Sequence, residues 1–215
     1  MKWALITLLG IVLLILFSAL AVTLFVTATE KNQHLANSEL RRDKPTADSH
    51  NSKTVVIVFS RSGNTHVLAN HIALRYNADV KVISAEDYAL GIPGWIRALY
   101  DARRHVASIT PEQLDLQQYD TVYLGSPIWL YSPAPPIWQF AKSNTFTNKN
   151  VVLFNTYNSK FEQHFIDEFK SLVKQNGAIS FSHQAINRGR MGNQLTTQDM
   201  LDVYDQNYQE VPHGS

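Results

Sequence analysis

The stretch Thr54–Thr65, TVVIVFSRSGNT, joins an apolar run to a short polar loop. The run Val55–Phe59 consists of β-branched and aromatic residues, which is typical of a strand covered on both faces. After the loop, Leu68, Ile72 and Tyr76 recur at a spacing of four and predict a helix. The sequence therefore predicts a strand–loop–helix unit, with the loop at the carboxyl end of a parallel strand.

The loop in this unit is rich in small polar side chains. It contains three hydroxyl groups, one glycine and one asparagine, contributed by Ser60, Ser62, Thr65, Gly63 and Asn64. Backbone N–H groups in such a loop point inward and the dipole of the next helix favours negative charge, so the loop suits a phosphate. A P-loop needs a lysine and a Rossmann loop needs three glycines, and the segment has neither. An ordinary turn with a Ser or Thr helix cap is the alternative.

A second distinctive segment follows the apolar run Tyr119–Gly125. It reads SPIWLYSPAPP from Ser126 to Pro136 and contains four prolines. Because proline fixes φ, this loop loses little entropy when it closes on a flat ligand. Trp129 and Tyr131 offer ring faces for stacking. The alternative is that the two rings only cover the edge of the sheet.

The two segments together resemble the flavodoxin-like family. The pattern Ser-x-Ser-Gly-x-Thr at Ser60–Thr65 is similar to the FMN-phosphate loop of that family, and Gly-Ser-Pro-x-Trp at Gly125–Trp129 is similar to the start of its flavin-ring loop. The resemblance implies an α/β fold, a flavodoxin-like doubly wound five-stranded parallel sheet, with FMN as the cofactor. The residues that it implies at the cofactor are Ser60, Ser62, Gly63, Asn64 and Thr65 at the phosphate, Pro127, Ile128, Trp129 and Leu130 beside the ring, with Trp129 stacking, and Thr156 and Tyr157 at the far edge.

The resemblance also implies electron transfer, in which the flavin carries the redox chemistry and no catalytic residue is required of the protein. One-electron flavodoxins usually place a glycine in the ring loop, whereas Ser126–Pro136 contains none. This departure favours a two-electron oxidoreductase that takes electrons from NAD(P)H and reduces a quinone-like acceptor. A redox carrier with a protein partner remains open. The alternative from another class is a membrane-tethered interaction module that has lost its flavin.

Strand and helix patterns alternate along the rest of the chain, as a doubly wound sheet requires. Further strands are predicted at residues 78–84, 121–124, 151–154 and 179–183, and helices at residues 94–104, 136–141, 161–176 and 196–208. We interpret Arg61 as a solvated loop charge, with neutralisation of a phosphate as the alternative. Arg188 and Arg190 are interpreted as surface charges, with binding of a nicotinamide cofactor or a substrate carboxylate as the alternative.

The composition excludes several classes of protein. The 215 residues include no cysteine, which excludes thiol nucleophiles, disulfides, iron–sulfur clusters and Cys-ligated zinc. The eight histidines form no metal-binding pair, since His66 and His71 are five residues apart and do not share a helix face. No Gly-x-Ser-x-Gly elbow of a hydrolase occurs. Residues 54–215 carry 13 Lys and Arg against 14 Asp and Glu, without the basic excess of a nucleic-acid-binding protein.

The N-terminal region predicts a membrane anchor. No charged residue occurs in Ala4–Ala28, and about 25 residues at about 1.5 Å each exceed the bilayer core of about 30 Å. We predict a single transmembrane anchor at residues 1–28, a flexible linker at residues 29–53 and the FMN-binding domain at residues 54–215. A cleaved signal peptide ending at Val26–Ala28 is the alternative. Lysine and arginine are more numerous after the span than before it, which favours a cytoplasmic domain.

Overall fold

A parallel sheet forms the centre of the computed structural model, which describes residues 2–38, 52–190 and 193–208. The strands are β1 (Thr54–Phe59), β2 (Asp79–Ile83), β3 (Thr121–Trp129), β4 (Ser132–Pro133), β5 (Asn150–Tyr157) and β6 (Ser180–Asn187). Five of them are parallel in the order β2–β1–β3–β5–β6, and the short β4 pairs antiparallel with β3. The order reverses between β1 and β3, and open α/β sheets bind ligands at the carboxyl ends of strands at such a switch point.

Helices cover both faces of the sheet. They are α1 (Lys2–Ala36), α2 (Asn64–Tyr76), α3 (Ile92–Asp101), α4 (Pro135–Ser143), α5 (Gln163–Gln175) and α6 (Thr197–Asn207), with a short 3-10 helix at Glu86–Tyr88. Alternate residues of β1 point to opposite faces. Val55 and Ile57 pack in the core that α3, α4 and α5 complete, while Val56 and Val58 pack against α2 and α6. The predicted doubly wound α/β fold is confirmed.

Two strands extend further than the sequence predicted. Residues 126–129 belong to β3 and residues 155–157 belong to β5, although both stretches were predicted to be loops. Ser126 pairs with Asn155, and the side-chain amide of Asn155 donates to the Ser126 carbonyl at 2.8 Å. Polar side chains continue the sheet here because they form hydrogen bonds with each other across the strands. A hydrophobicity pattern in the sequence does not reveal such hydrogen bonds.

Helix α1 continues eight residues beyond its predicted end at Ala28, so the prediction of a flexible linker is wrong for residues 29–36. These residues stay helical because they pack on the carboxyl edge of the sheet, where Val26 is buried. Residues 39–51 of the predicted linker lie outside the described part of the chain. Leu5–Ala36 is long and apolar enough to cross a membrane, a property that signal sequences near an N-terminus share.

Candidate functional site

The loop after β1 forms one wall of a cavity at the carboxyl edge of the sheet. Gly63 has a φ of 93° and is the N-cap of α2, a backbone conformation that residues with a Cβ rarely adopt. Its N–H donates to the Ser60 hydroxyl at 3.1 Å, which closes a tight turn. Gly63 has no side chain that could cap α2, so the N-cap position lacks the Ser or Thr of an ordinary capped turn. The positive end of the α2 dipole therefore faces a site that favours an anion.

A pair of hydroxyl groups joins this loop to the end of β5. Thr65 and Thr156 are both buried, and their Oγ1 atoms lie 2.8 Å apart. Thr156 is in turn the neighbour of Pro127 across the β3–β5 ladder. The first turn of α2 and the ends of β3 and β5 therefore meet at one place.

Next to this point, a polar network crosses three strands. The side-chain nitrogen of Asn155 donates to the carbonyl of Ser126, so the side-chain oxygen of Asn155 points towards His183. The Nε2 atom of His183 lies 2.9 Å from that oxygen. Because an amide oxygen only accepts, Nε2 must be the donor. A donating, neutral imidazole agrees with the burial of this ring, which lowers the pKa of His183 to about 4. The network fixes the end of β5 directly below Thr156.

The segment after β3 is a hairpin and not the long loop that the sequence predicted. Trp129 pairs with Ser132 of β4, and the two residues between them, Leu130 and Tyr131, form the turn. Their φ values are 42° and 77°. Positive φ at both central residues is typical of the turns that join antiparallel strands, yet it is uncommon for residues other than glycine and asparagine. Strained backbone of this kind concentrates at functional sites.

Both carbonyl groups of this turn have hydrogen-bond donors. The Leu130 carbonyl accepts from Arg103 Nε at 3.1 Å. The Tyr131 carbonyl accepts from the N–H of Glu162 at 3.0 Å. A rotation of either peptide would break one of these bonds, so the turn is held in one conformation.

The indole of Trp129 is partly buried and held by two other rings. Phe59 and Tyr88 contact it edge to face, at centroid distances of 5.5 and 5.2 Å. The side chain also lines the cavity. Its orientation is therefore fixed by the core, and its stacking on a flavin ring stays a prediction.

The three segments enclose one cavity of about 240 Å³. Ten of the eleven residues predicted to bind FMN line it, namely Ser60, Ser62, Asn64, Thr65, Pro127, Ile128, Trp129, Leu130, Thr156 and Tyr157. The eleventh, Gly63, shapes the loop without lining the cavity. Residues that are distant in the sequence are thus brought together around one cavity, and their binding of FMN stays a prediction.

Arg188, which follows β6, also lines the cavity. It is only 4% exposed, so the interpretation as a surface charge is wrong for this residue, whereas Arg190 is exposed. Its Nη2 donates to the Leu195 carbonyl at 3.2 Å. Its Nε and Nη1 find no partner in residues 2–38, 52–190 and 193–208. Burial lowers the pKa of the guanidinium, and a buried cation that lacks hydrogen bonds is costly.

Arg61 in the first loop is buried as well, which overturns the interpretation as a solvated charge. Its side chain is 5% exposed and forms a short ion pair with Glu30 of α1. The same guanidinium donates to the carbonyls of Tyr88 at 3.0 Å and Gly91 at 3.1 Å. The second carboxylate oxygen of Glu30 has no partner in the described part of the chain. Arg61 is therefore neutralised by the chain itself, and Arg188 is not.

The last turns of α1 lie across the cavity and bond to the loop. Gln33 Oε1 accepts from Asn64 Nδ2 at 2.9 Å, and Asn37 Nδ2 donates to Asn64 Oδ1 at 2.7 Å. Asn37 also accepts from the Thr197 hydroxyl of α6 at 3.0 Å. The end of α1 thus forms a cover over the loop after β1. No pattern in the sequence indicated this cover.

Helix α3 supplies a further wall that the sequence did not reveal. Trp95, Ala98 and Leu99 line the cavity together with Val26 of α1. Residues 94–104 were predicted to be helical, but a helical pattern does not indicate which face lines a cavity. The position of α3 on the sheet determines which of its residues line the cavity.

A family model described as Flavodoxin matches residues 53–207. The chain belongs to the flavodoxin family. The match spans the sheet, helices α2 to α6 and the three segments of the cavity, and it leaves α1 outside the flavodoxin domain. No curated protein sequence gives a significant match.

Solved structures share the fold of this flavodoxin domain. One is a protein from Bacteroides uniformis, provisionally assigned as a flavoprotein, with 21% identity, a TM-score of 0.55 and coverage of 71% of this chain and 97% of that chain. A similarly assigned protein from Bacteroides eggerthii has 20% identity, a TM-score of 0.50 and coverage of 73% and 98%. A flavoprotein in complex with FMN from Lactobacillus acidophilus has 20% identity, a TM-score of 0.49 and coverage of 62% and 93%. At these identities the likeness to the two Bacteroides proteins shows the fold alone.

Proposed function

We propose that this chain is a membrane-anchored flavodoxin that binds FMN in the cavity and acts in electron transfer, as a two-electron oxidoreductase. The observation that carries the proposal is Arg188, a buried cation with two nitrogens that lack partners in the described part of the chain. It lines the same cavity as the first turn of α2. A phosphate dianion at this point would accept from the guanidinium, from backbone N–H groups and from the loop hydroxyls. The flavin would supply the redox chemistry once bound.

The rest of the cavity fits the ring end of FMN. Pro127, Ile128 and Trp129 provide an apolar wall, and Trp129 is held rigid by its neighbouring rings. Thr156, which is the neighbour of Pro127 across the β3–β5 ladder, and Tyr157 offer polar groups beside this wall. Apolar walls with a few fixed polar groups are the usual lining of a cofactor site.

The hairpin turn supports two-electron chemistry. In one-electron flavodoxins a glycine in this loop lets a peptide reorient towards the reduced flavin. Here the turn residues are Leu130 and Tyr131, and both of their carbonyls are engaged by other donors. A turn that does not reorient would offer no additional hydrogen bond to a singly reduced cofactor, which favours two-electron chemistry.

The surroundings of the site support a lipid-dissolved acceptor. The end of the apolar span lies beside the cavity, since Val26 lines it together with Trp95 and Leu99. A quinone-like molecule dissolved in a bilayer is an acceptor that such a wall suits, and NAD(P)H is a two-electron donor. The same cofactor would also serve a redox carrier that exchanges electrons with a protein partner.

One observation favours a second candidate, a membrane-tethered interaction module without flavin. The side chains of Asn64 and Arg61 are already bonded to α1, as they would be in a loop that has no ligand to bind. The unpartnered guanidinium of Arg188 argues against this candidate, because a module without an anion gains nothing from it.

The proposal is tested by comparing FMN with riboflavin, which lacks the phosphate. We expect the full chain in detergent to bind FMN more tightly than riboflavin. The variant Arg188→Met should weaken FMN binding by roughly tenfold or more, the scale of a lost charge-assisted hydrogen bond, and leave riboflavin binding unchanged. The exposed Arg190→Met is the matched control. An equal affinity of the wild-type chain for both flavins, or no change for FMN in Arg188→Met, would overturn the proposal.

A further inference from the structure

The outer face of α3 is apolar and exposed. Ile96 is 56% exposed, Tyr100 is 63% exposed and Leu99 is 40% exposed. Leu130 at the tip of the β3–β4 hairpin is 45% exposed and lines the same cavity as Leu99. These four residues, Ile96, Leu99, Tyr100 and Leu130, form a surface that we call the α3 face.

Arginine residues surround the α3 face. Arg97 and Arg104 both lie more than half exposed and share one carboxylate, that of the buried Asp101, at 2.6 and 3.6 Å. The Arg104 guanidinium also lies 3.9 Å from the centroid of the Tyr100 ring. Arg103 donates to the Leu130 carbonyl and so joins the end of α3 to the hairpin tip. On α3 and in the residues that follow it, three arginines outnumber the single acid Asp101, while the exposed Glu86 and Asp87 lie on the 3-10 helix that packs against α3.

The position of α1 shows what lies next to this surface. Val26 lines the cavity together with Leu99 of α3, and α1 and α3 are in contact there. Before Val26, the large apolar side chains of α1 from Leu5 to Phe25 are exposed. The chain therefore leaves the domain beside the α3 face and continues as the segment that is apolar enough to cross a membrane.

We propose that the α3 face docks on the surface of the bilayer that α1 enters, with its arginines on anionic headgroups. A helix with an apolar face and flanking cations binds in this way to the boundary between headgroups and acyl chains. The proposal rests on the insertion of α1 that the proposed function includes. It sets the mouth of the cavity at the level of the headgroups, from which a lipid-dissolved acceptor can reach the site.

The lack of cysteine in this chain allows a direct test with single nitroxide labels. The full chain is placed in vesicles of three parts phosphatidylcholine to one part phosphatidylglycerol. Labels are attached in the variants Ile96→Cys on α3 and Leu13→Cys in the apolar span. The matched control is Ser171→Cys on α5, which packs beside β6. Collisions with oxygen, which prefers the acyl region, are compared with collisions with a water-soluble nickel complex.

At Ile96 we expect the ratio of oxygen to nickel collisions to exceed that at Ser171 by about threefold or more, as for a side chain 5–10 Å into the interface. The ratio should fall when phosphatidylglycerol is omitted. Equal ratios at the two sites would overturn the proposal. Dipolar broadening between labels on Ile96, with shielding from both reagents, would overturn it in favour of a second copy of the chain. A water-exposed label at position 13 would instead show that α1 does not insert into the membrane, and would overturn the docking as well.

Discussion

Thr65 in the first turn of α2 and Thr156 near the end of β5 are 91 residues apart in the sequence, yet their hydroxyl oxygens lie 2.8 Å apart. Both residues are buried. The contact joins the loop proposed to bind phosphate to the strand that carries Thr156 and Tyr157. One pair of hydroxyl groups therefore links two walls of the candidate site.

This pair predicts a characteristic pattern of stabilities. Thr65→Val should lower the free energy of unfolding by about 1–3 kcal/mol, because it leaves the Thr156 hydroxyl buried without its partner. The double variant Thr65→Val/Thr156→Val should cost less than the sum of the two single variants, since no hydroxyl is left unpaired. Urea unfolding of the full chain in detergent measures all three. Additive effects would show that the two side chains do not interact.

Glu30 competes with a bound phosphate for the positive charge of the cavity. The variant Glu30→Gln removes the internal partner of Arg61, so we expect FMN to bind several-fold more tightly while riboflavin binding stays the same. In the absence of FMN the same variant should be less stable, because Arg61 is left buried without a counter-charge. Glu168→Gln on the exposed side of α5 is the control. Fluorescence titration with the two flavins is the measurement, and weaker FMN binding in Glu30→Gln would contradict this role.

The hairpin turn predicts how the flavin is reduced. During stepwise reduction, the wild-type chain should show little one-electron-reduced flavin. Leu130→Gly should raise that fraction, because glycine lets the peptide rotate and the Arg103 bond to the carbonyl can then be exchanged for one to the flavin. Leu130→Ala, which removes the side chain without freeing the backbone, should behave as the wild type does. Absorption spectra recorded along the reduction decide the matter, and a large one-electron-reduced fraction in the wild type would refute two-electron chemistry.

His183 predicts a loss of stability in acid. Its pKa is about 4 in the folded chain, against 6.5 for an ordinary histidine, because burial disfavours the charged form. Between these pH values the unfolded chain binds more protons than the folded one. The contribution of His183 to stability is therefore complete above pH 6.5 and declines as the pH falls towards 4.

The size of this effect is at most about 1.4 kcal/mol per pH unit within that window. His183→Gln, which keeps a donor to Asn155, should show a flatter dependence of unfolding free energy on pH. Burial also lowers the pKa of His105, so some acid sensitivity should persist in the variant. Urea unfolding of the wild type and the variant at pH 7 and pH 4.5 makes the comparison. An equal loss of unfolding free energy in the two proteins would exclude His183 as a source of the acid sensitivity.

The fold and the first loop could be predicted because their signals are local. Val55–Phe59 is a continuous apolar run, and Gly63 follows it at a turn where its backbone freedom is needed. The extension of β3 through Pro127 was missed, since proline and serine normally indicate a loop. Pairing across the sheet, of Ser126 with Asn155 and of Pro127 with Thr156, keeps that stretch in a strand.

The charges of the site could not be predicted. Arg61 and Arg188 looked like surface residues, because burial of an arginine depends on elements that are distant in sequence. The cover formed by Glu30 and Gln33 could not be predicted either, because polar residues after an apolar helix normally indicate a linker. The interactions of this cover depend on where α1 crosses the edge of the sheet. The hydrophobic periodicity of the sequence does not indicate that position.

The most direct test of the account is the absorption spectrum of the purified full chain after incubation with FMN and removal of the excess. The account predicts bound flavin at one equivalent per chain, with bands shifted from those of free FMN, and loss of that flavin in Arg188→Met but not in Arg190→Met. A colourless wild-type chain that also leaves FMN fluorescence unquenched would contradict it, and would favour the flavin-free interaction module.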